Sequence, residues 1–571
     1  MDAAASPRAR VTATRSSDTP PVSPVPLPWW GAGLLASATG LLLPLAFARF
    51  SIDWLAWFAL VPLMMLAVRA RSLRQAFLAG WWSGALFFGV SCYWIAATVE
   101  HYGPLSPALA ALVFALFCGL MGLYFGLFAW VGRWLAGSSR APFLLLAPLW
   151  VAVEFLRTYT PMGGFPWNLL AYSQVDHPGI MLLAPWTGPW GISLLITLVN
   201  ALWASLLWRW LAASSPRRWQ HDRPALVGRL PGGAKALAAE AVGVGLLLAF
   251  ASFPYHAPAI PPATLEARLV QPDAPLNAHW THRRLQAFLD RNLILSTTGT
   301  GADFHPDLIV WPEQPTPLYY DLQPALQAEA ARIVAATHAA FLLGEVSFPW
   351  TAAGVPDTTD PRNSALLIHA NGTTGRRYDK IHLVPFGEYV PLPAWLLHWA
   401  PIGKIVGQVG DFEPGRYPVL LHAQGKPFGA LICYESIFPA LARREVRMGA
   451  QWLVNLSDDG WYGHSSAGWQ SLAMTRMRAL ETHRWILRDT NNGVTAAIDP
   501  YGRLVRLLPR FHTGILDAGF VPETGMTFYT LHGDWLAWGC AILCVSWALL
   551  ELARRKIRSR RPIPTPDAAI E

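Results

Sequence analysis

The sequence predicts a multi-pass α-helical membrane protein of about eight spans, with an α/β domain inserted before the last span. Three observations carry this reading. Apolar residues make up 53% of the 571 residues and charged residues 14%, against about 45–50% and about 25% in soluble domains. The apolar residues are gathered into runs that match a bilayer core, which needs roughly 20 helical residues. One long stretch, 255–530, breaks the series and is polar enough to fold as a globular unit. A wholly soluble enzyme and a disordered chain are both excluded by this composition.

Residues 1–28 are rich in Pro, Ser, Thr and Ala and carry Arg8, Arg10 and Arg15. They read as a disordered cytoplasmic tail rather than a cleaved signal. The expected spans follow at Trp29–Phe47, Asp53–Val68, Ala76–Val99, Ser106–Val131, Ala141–Tyr159, Gly191–Ala212 and Ala236–Phe253, so residues 29–254 form a membrane domain of seven helices. The eighth span is Trp535–Ala553, within 531–553, and 554–571 is a basic cytoplasmic tail. Basic clusters orient them. Arg69, Arg71 and Arg74, then Arg133 and Arg140, then the group from Arg209 to Lys235, then Arg554 to Arg561 all fall with the N-terminal arginines on one side if the spans alternate. The other side holds little beyond Arg49 and Arg157. This topology accounts for the net charge of +8 and leaves nothing that asks for a nucleic-acid partner. It also places 255–530 outside the cytoplasm.

Within that domain, strand-like runs occur at Leu265–Val270, Asp307–Trp311, Phe341–Val346, Ser364–His369, Phe428–Cys433, Gln451–Leu456, Trp485–Arg488 and Thr495–Ile498. Helical stretches occur at His279–Ser296, Pro324–Thr337, Ile437–Gly449 and Gln470–His483. Strands with covering helices predict a layered α/β domain. Cys92, Cys118, Cys540 and Cys544 lie in spans, so Cys433 alone belongs to the soluble domain. It stands where a strand turns into a helical stretch, a position expected to expose the sulfur and to lower its pKa through the helix N-terminus. Two readings fit it, a nucleophile or an inert core thiol. Glu313, just past a strand, and Lys380, in an aromatic- and Pro-rich segment, also fit ordinary solvated positions. Together the three residue types supply a nucleophile, a base and an oxyanion-stabilising cation.

The segments Trp311-Pro-Glu313, Tyr378-Asp-Lys-Ile-His-Leu-Val-Pro-Phe-Gly-Glu-Tyr-Val-Pro391 and Cys433-Tyr-Glu-Ser436 occur in this order. The order resembles the Glu–Lys–Cys triad of the nitrilase superfamily. With the span pattern, with Glu154-Phe-Leu-Arg157 and Gly164-Phe-Pro-Trp167, and with Asn455 to Gly463, Arg478 to Glu481, Asn491 to Thr495 and Gly533 to Trp535, the chain resembles the apolipoprotein N-acyltransferase family. The run after Asn455 departs slightly from the usual family form.

The resemblance implies an αββα sandwich on a membrane base. It implies Cys433 as nucleophile, Glu313 as general base, Lys380 as the cation that stabilises the tetrahedral intermediate and Glu388 as a second carboxylate holding that lysine. Tyr434 and Glu435 flank the nucleophile and serve its function or geometry, and Trp280, in Pro275-Leu-Asn-Ala-His-Trp280, resembles a tryptophan of substrate handling. The implied reaction moves a fatty acyl chain from a phospholipid, phosphatidylethanolamine being the expected donor, through a Cys433 thioester to the N-terminal amine of a diacylglyceryl apolipoprotein. The implied place is the bacterial inner membrane, with the catalytic domain periplasmic and the chain monomeric. Neither metal-ligand spacing nor a Gly-rich phosphate loop stands out, so no cofactor or metal is expected. A membrane-tethered amidase acting on a small soluble substrate would share the triad but would not need eight spans. A transporter or scaffold with a degenerate domain would not need the triad.

Glu154 and Arg157, three apart near the end of a span, are expected to tie that helix end to the following Gly/Pro-rich loop. The run Leu392 to Pro401 carries Trp395, Leu396, Leu397 and Trp399 and almost no charge. It is expected to be either a lid dipping into the membrane interface or an ordinary packing loop. Replacing Trp395 and Trp399 with Ser should weaken turnover of a lipid substrate more than hydrolysis of a small soluble ester. Equal loss on both assays would count against the lid.

Overall fold

The computed structural model describes residues 27–102, 105–136, 143–214, 233–276, 278–300, 304–391 and 411–559. Residues 1–26 and 560–571 of the expected tails and the 392–401 run lie outside these described residues, while 554–559, expected as tail, continue the last helix. The N-terminal part is helical: α1 Trp29–Leu42, α2 Val61–Arg69, α3 Leu73–Ser91, α4 Trp94–Tyr102, α5 Pro107–Ala136, α6 Leu146–Tyr159, the single-turn α7 Pro178–Met181 and α8 Ala184–Thr187, α9 Pro189–Ser214 and α10 Gly233–Ala251.

Among the described residues, Trp29–Ala46, Pro107–Ala136, Pro189–Leu211 and Trp535–Ile557 are long and apolar enough to cross a bilayer, and α3 with α4, bent by 60°, makes a fifth if counted as one span. The remaining runs are shorter helices than the eight-span reading expects. Residues 53–68 divide into a 3-10 turn, Asp53–Trp57, and the nine-residue α2, which starts with a proline in its first turn. The break frees backbone groups, and an apolar surrounding demands partners for them. Polar side chains of neighbouring helices supply these. Asn200 accepts from the Leu60 amide (2.9 Å) and donates to the Ala56 carbonyl (2.8 Å), and Thr39 donates to the Ala59 carbonyl (2.7 Å). Residues 141–159 yield only the 14-residue α6, and the 236–253 run falls in the 19-residue α10, of which the stretch Ala238–Ala251 is the apolar part.

The soluble domain is a sandwich of two six-stranded sheets, ordered β12-β1-β2-β3-β4-β5 and β11-β10-β9-β8-β7-β6. The first contains β1 Leu265–Gln271, β2 Leu308–Trp311, β3 Ala340–Ser347, β4 Arg362–Ile368, β5 Thr374–Asp379 and β12 Gly514–Phe520. The second contains β6 Leu421–Ala423, β7 Lys426–Ile432, β8 Leu453–Ser457, β9 Ile486–Thr490, β10 Thr495–Ile498 and β11 Leu504–Leu508. The central strands are parallel (β1, β2, β3 and β7, β8, β9), with antiparallel strands outside them. The eight strands expected from the sequence are present within one to two residues at most ends. The four that sequence reading missed, β5, β6, β11 and β12, are the four sheet edges. Edge strands carry charge and short apolar runs, as Thr374-Gly-Arg-Arg-Tyr-Asp379 does, so they lack the buried-strand signature.

The inner faces meet in one apolar layer that includes Leu269, Val310 and Leu342 from one sheet and Phe428, Ile432 and Val454 from the other. Helices α11 His282–Thr297 and α12 Pro324–Thr337 cover the first sheet. On the other side lie α13 Pro439–Arg447 and α14 Ala467–Thr482. This outer layer is continuous with the membrane helices: Leu431, Ile437, Met474 and Leu480 share one core with Phe88, Trp150 and Trp190. The αββα order implied by the resemblance is therefore present, with its second helical layer pressed on the membrane part.

Polar clamps fix that junction. Trp167 Nε1 donates to Gln470 Oε1 (2.7 Å), while Gln470 Nε2 donates to the carbonyls of Ala48 (2.7 Å) and Ser91 (3.1 Å). Asp534 lies between α15 Phe528–His532 and α16 Trp535–Ser559. Its carboxylate accepts from Tyr159 (2.6 Å), Trp190 (2.8 Å), Tyr529 (2.6 Å) and Arg443 (3.1 Å). Removing one partner of a buried charge pair typically costs about 3–5 kcal/mol. Asp534→Ala should therefore lower the melting temperature in detergent clearly, and Asp534→Asn less, because the amide oxygen still accepts. Equal melting of Asp534→Ala and wild type would refute the clamp.

Candidate active site

The site forms where loops leaving the ends of central strands from both sheets converge. Strand β2 ends at Trp311 and the chain turns through Pro312 to Glu313. The turn passes so close to β3 that a Cβ on Gly344 would stand 2.1 Å from the Pro312 carbonyl oxygen. Only glycine fits there. Glu313 is buried. Its Oε1 accepts from Asn363 Nδ2 (2.8 Å) and Lys380 Nζ (3.2 Å), and its Oε2 accepts from the Asp458 amide (2.9 Å).

Lys380 follows the edge strand β5 and is 1% exposed. Its ammonium also donates to Glu388 Oε1 at 2.8 Å. Glu388 accepts at the same oxygen from Asn363 Nδ2 (2.8 Å), and its Oε2 takes the Val384 amide (2.8 Å). Burial alone would lower the lysine. The facing carboxylates of Glu313 and Glu388 outweigh it and hold the ammonium well above the ordinary value.

Strand β7 ends at Ile432, one residue earlier than the sequence suggests, and Cys433 opens a 3-10 turn, Cys433–Ile437, in a left-handed conformation with φ 50°. Two expectations are corrected here. Cys433 is buried, not exposed at a sheet edge, because β7 is an interior strand roofed by the other sheet. Its pKa is raised, not lowered. Burial is the largest cause and the Glu313 charge adds to it, while Lys380 and Ser457 oppose. The resting group is a thiol.

Glu435 joins the two halves. Its Oε1 accepts from the amides of Ile381 (2.7 Å) and His382 (3.0 Å) and from Tyr378 Oη (2.8 Å), and its Oε2 accepts from the Ile432 amide (2.8 Å). Burial pushes this carboxyl up to about 7 against those donors. Tyr434 donates to the Gly164 carbonyl (3.2 Å) and packs edge-to-face on Phe438, 5.0 Å between centroids. Phe438 in turn stacks on His382 (4.4 Å).

The structure thus brings Glu313, Lys380, Glu388, Cys433 and Glu435 together, with Tyr434 on the membrane side. Trp280 packs its ring edge-to-face on Phe288 of α11 at 5.1 Å. Sequence reading missed Asn363, which bridges both carboxylates, because a single asparagine at a strand start carries no pattern. It also missed Arg488, whose Nη2 donates to Asp459 Oδ1 and Oδ2 (2.9 Å each) while Nη1 bonds Asn455 Oδ1. That network anchors the 455–460 segment, whose Asp458 amide holds Glu313. A signal existed in this case: an arginine inside a buried strand run requires a paired acceptor. Glu154 and Arg157 tie their helix end to the next loop as expected. Glu154 Oε1 accepts from the Leu170 amide (2.8 Å), and Arg157 donates to the Phe165 (2.7 Å) and Trp167 (2.8 Å) carbonyls.

Comparison with known proteins agrees with this construction. Residues 39–202 match the family model of the apolipoprotein N-acyltransferase N-terminal domain, and residues 279–525 match that of carbon-nitrogen hydrolase. Apolipoprotein N-acyltransferase of Azotobacter vinelandii is 35% identical over 95% of this chain and 98% of its own. Those of Geobacter metallireducens and Pseudomonas aeruginosa are 31% and 33% identical, each over 92% of this chain and 96% of theirs. With a nitrilase-like sandwich, a buried Glu–Lys–Cys cluster and relatives this similar along nearly the whole length, the chain belongs to the apolipoprotein N-acyltransferase family.

Proposed function

We propose that this protein transfers a fatty acyl chain from a membrane phospholipid, through a thioester on Cys433, to the N-terminal amine of a diacylglyceryl apolipoprotein, the last step of bacterial lipoprotein maturation. The observation that carries the mechanism is the buried Lys380 ammonium held between Glu313 and Glu388 and acting electrostatically on the Cys433 thiol. The family shown above carries the choice of substrates.

Glu313 takes the thiol proton as sulfur attacks the carbonyl carbon of the phospholipid ester, with phosphatidylethanolamine the expected donor. Lys380 holds the tetrahedral oxyanion, with Glu388 fixing the lysine. The ester C–O bond breaks, the proton passes from Glu313 to the leaving alkoxide, and lysophospholipid departs. The acceptor amine then attacks the thioester carbonyl, Glu313 takes the amine proton, and the C–S bond breaks as the thiolate recovers it. A thioester survives until the amine arrives only where water is excluded, which fits a nucleophile that is 8% exposed. Tyr434 and Glu435 set the geometry of the turn, and Trp280 serves substrate handling. The enzyme sits in the inner membrane as a monomer, with 255–530 periplasmic and both tails cytoplasmic. The shorter helices combine with neighbouring segments to complete eight crossings: the Asp53–Trp57 turn with α2, the 141–159 run and the 236–253 run.

Incubation with labelled phospholipid followed by mass spectrometry should show a hydroxylamine-sensitive long-chain acyl group on Cys433, absent in Cys433→Ala. Finding no adduct on the wild type would sink the mechanism, and an adduct formed only from small soluble amides would favour an amidase.

The pKa pattern gives a second test with a definite sign. Alkylation of Cys433 by iodoacetamide should have a pH midpoint above the ordinary thiol value. Glu313 raises that midpoint by its negative charge, so Glu313→Gln should move it down while acyl transfer falls by about 10²-fold or more. A midpoint that stays or rises would show that Glu313 does not act on the thiol.

A further inference from the structure

The loop after α6 belongs to the membrane part, yet it touches the residue beside the nucleophile. Gly164 has φ 95°, and a Cβ there would lie 1.9 Å from the Thr158 carbonyl oxygen. Glycine is therefore required, and it leaves the Gly164 carbonyl to accept the Tyr434 hydroxyl at 3.2 Å. The residues on either side are pinned. The Gly164 amide donates to the Pro161 carbonyl (2.8 Å) and the Phe165 amide to the Arg157 carbonyl (2.9 Å). Arg157 Nη1 holds the carbonyls of Phe165 and Trp167 at 2.7 and 2.8 Å. Arg157 is 4% exposed, and its guanidinium lies over the Phe88 ring at 5.3 Å. Trp167 is locked by Gln470 and stacks parallel to Phe165. A buried cation this close to apolar helices is costly to keep, and here its Nη1 donors are committed to the backbone of one loop.

We propose that Arg157 is a positioning residue for the acyl transfer: through the 164–167 loop it fixes the carbonyl that receives the Tyr434 hydroxyl, and so sets the turn that carries Cys433. The membrane base then does more than anchor the catalytic domain, because it supplies one wall of the nucleophile's turn. The inference rests on the reading of Cys433 as nucleophile only where acylation is the readout.

The test uses the full-length protein in phospholipid nanodiscs. Single-turnover acylation is measured against phospholipid concentration, and iodoacetamide alkylation of Cys433 is measured against pH, for wild type, Tyr434→Phe, Arg157→Lys and the double variant. Lysine keeps the charge but lacks the rigid planar fork that meets the two carbonyls, and Tyr434→Phe removes one hydroxyl and nothing else. Each single change should slow the maximal acylation rate about 3- to 10-fold with half-saturating phospholipid within about twofold. The double should be no slower than the worse single, since both act through one contact. Alkylation should accelerate and its midpoint fall, because a looser turn admits water to a thiol that burial holds protonated. Losses that multiply in the double, or wild-type acylation and alkylation in a Tyr434→Phe protein, would overturn the proposal. Tyr434→Phe decides alone if Arg157→Lys does not fold. A wild type without acyl adduct, but with alkylation shifted in both variants, would overturn the nucleophile reading and support the coupling.

Discussion

The carboxyl of Glu435 accepts backbone amides from the Lys380 loop on one sheet and from the end of β7 on the other, and the geometry of the site depends on that double attachment. The two sheets meet through apolar side chains, which favour contact but do not fix register. Hydrogen bonds to a buried carboxyl do fix it, because each donor left unsatisfied would cost its desolvation. Tyr378, fully buried at the inner face of β5, adds a hydroxyl to both oxygens. The lysine-bearing and cysteine-bearing loops are thus referenced to one group, and the turn at Cys433 keeps its left-handed backbone as a consequence.

Around that tie, charge is balanced in a particular way. Lys380 faces two carboxylates, so the buried cluster is acidic overall before substrate arrives. An extra thiolate would add a further negative charge in a dry environment, and Cys433 accordingly rests as a thiol. In the proposed mechanism the nucleophile forms only when a proton can move to Glu313 and developing negative charge can pass to an oxyanion beside Lys380. Asn363 and the Asp458 amide matter for the same reason. Asn363 bonds both carboxylates and the Asp458 amide bonds Glu313, and together they orient these oxygens toward the lysine.

The membrane part and the sandwich share one apolar core, and their junction carries buried polar contacts, Gln470 with Trp167 and Asp534 with Arg443, and an exposed one at its edge, Arg476 with Asp176. A nitrilase-like domain in water would cover its outer helices with charge. Here α14 instead presents Met474, Met477 and Leu480 to the base. The two substrates of the proposed reaction both carry acyl chains, and a catalytic domain seated on apolar helices brings the ester within reach without lifting the chains into water.

Much of this was legible in the chain. Composition and long apolar runs pointed to a membrane protein, since such runs act locally. The interior strands and the four covering helices of the sandwich were readable because burial imposes a strong pattern. Glu313, Lys380, Glu388, Cys433, Tyr434 and Glu435 were singled out through the family resemblance that their motifs carry, and the structure brings them into one region. What tertiary structure alone decided was longer in range. The edge strands owe their conformation to a neighbour rather than to their own residues. The break in the Asp53–Val68 run is sustained by Asn200 and Thr39 of other helices, which satisfy the freed backbone. The state of Cys433 reversed the local expectation, because a turn at the start of a helix favours a thiolate only where solvent or cations can support it. Burial beneath the opposite sheet and the nearby charge of Glu313 removed that support.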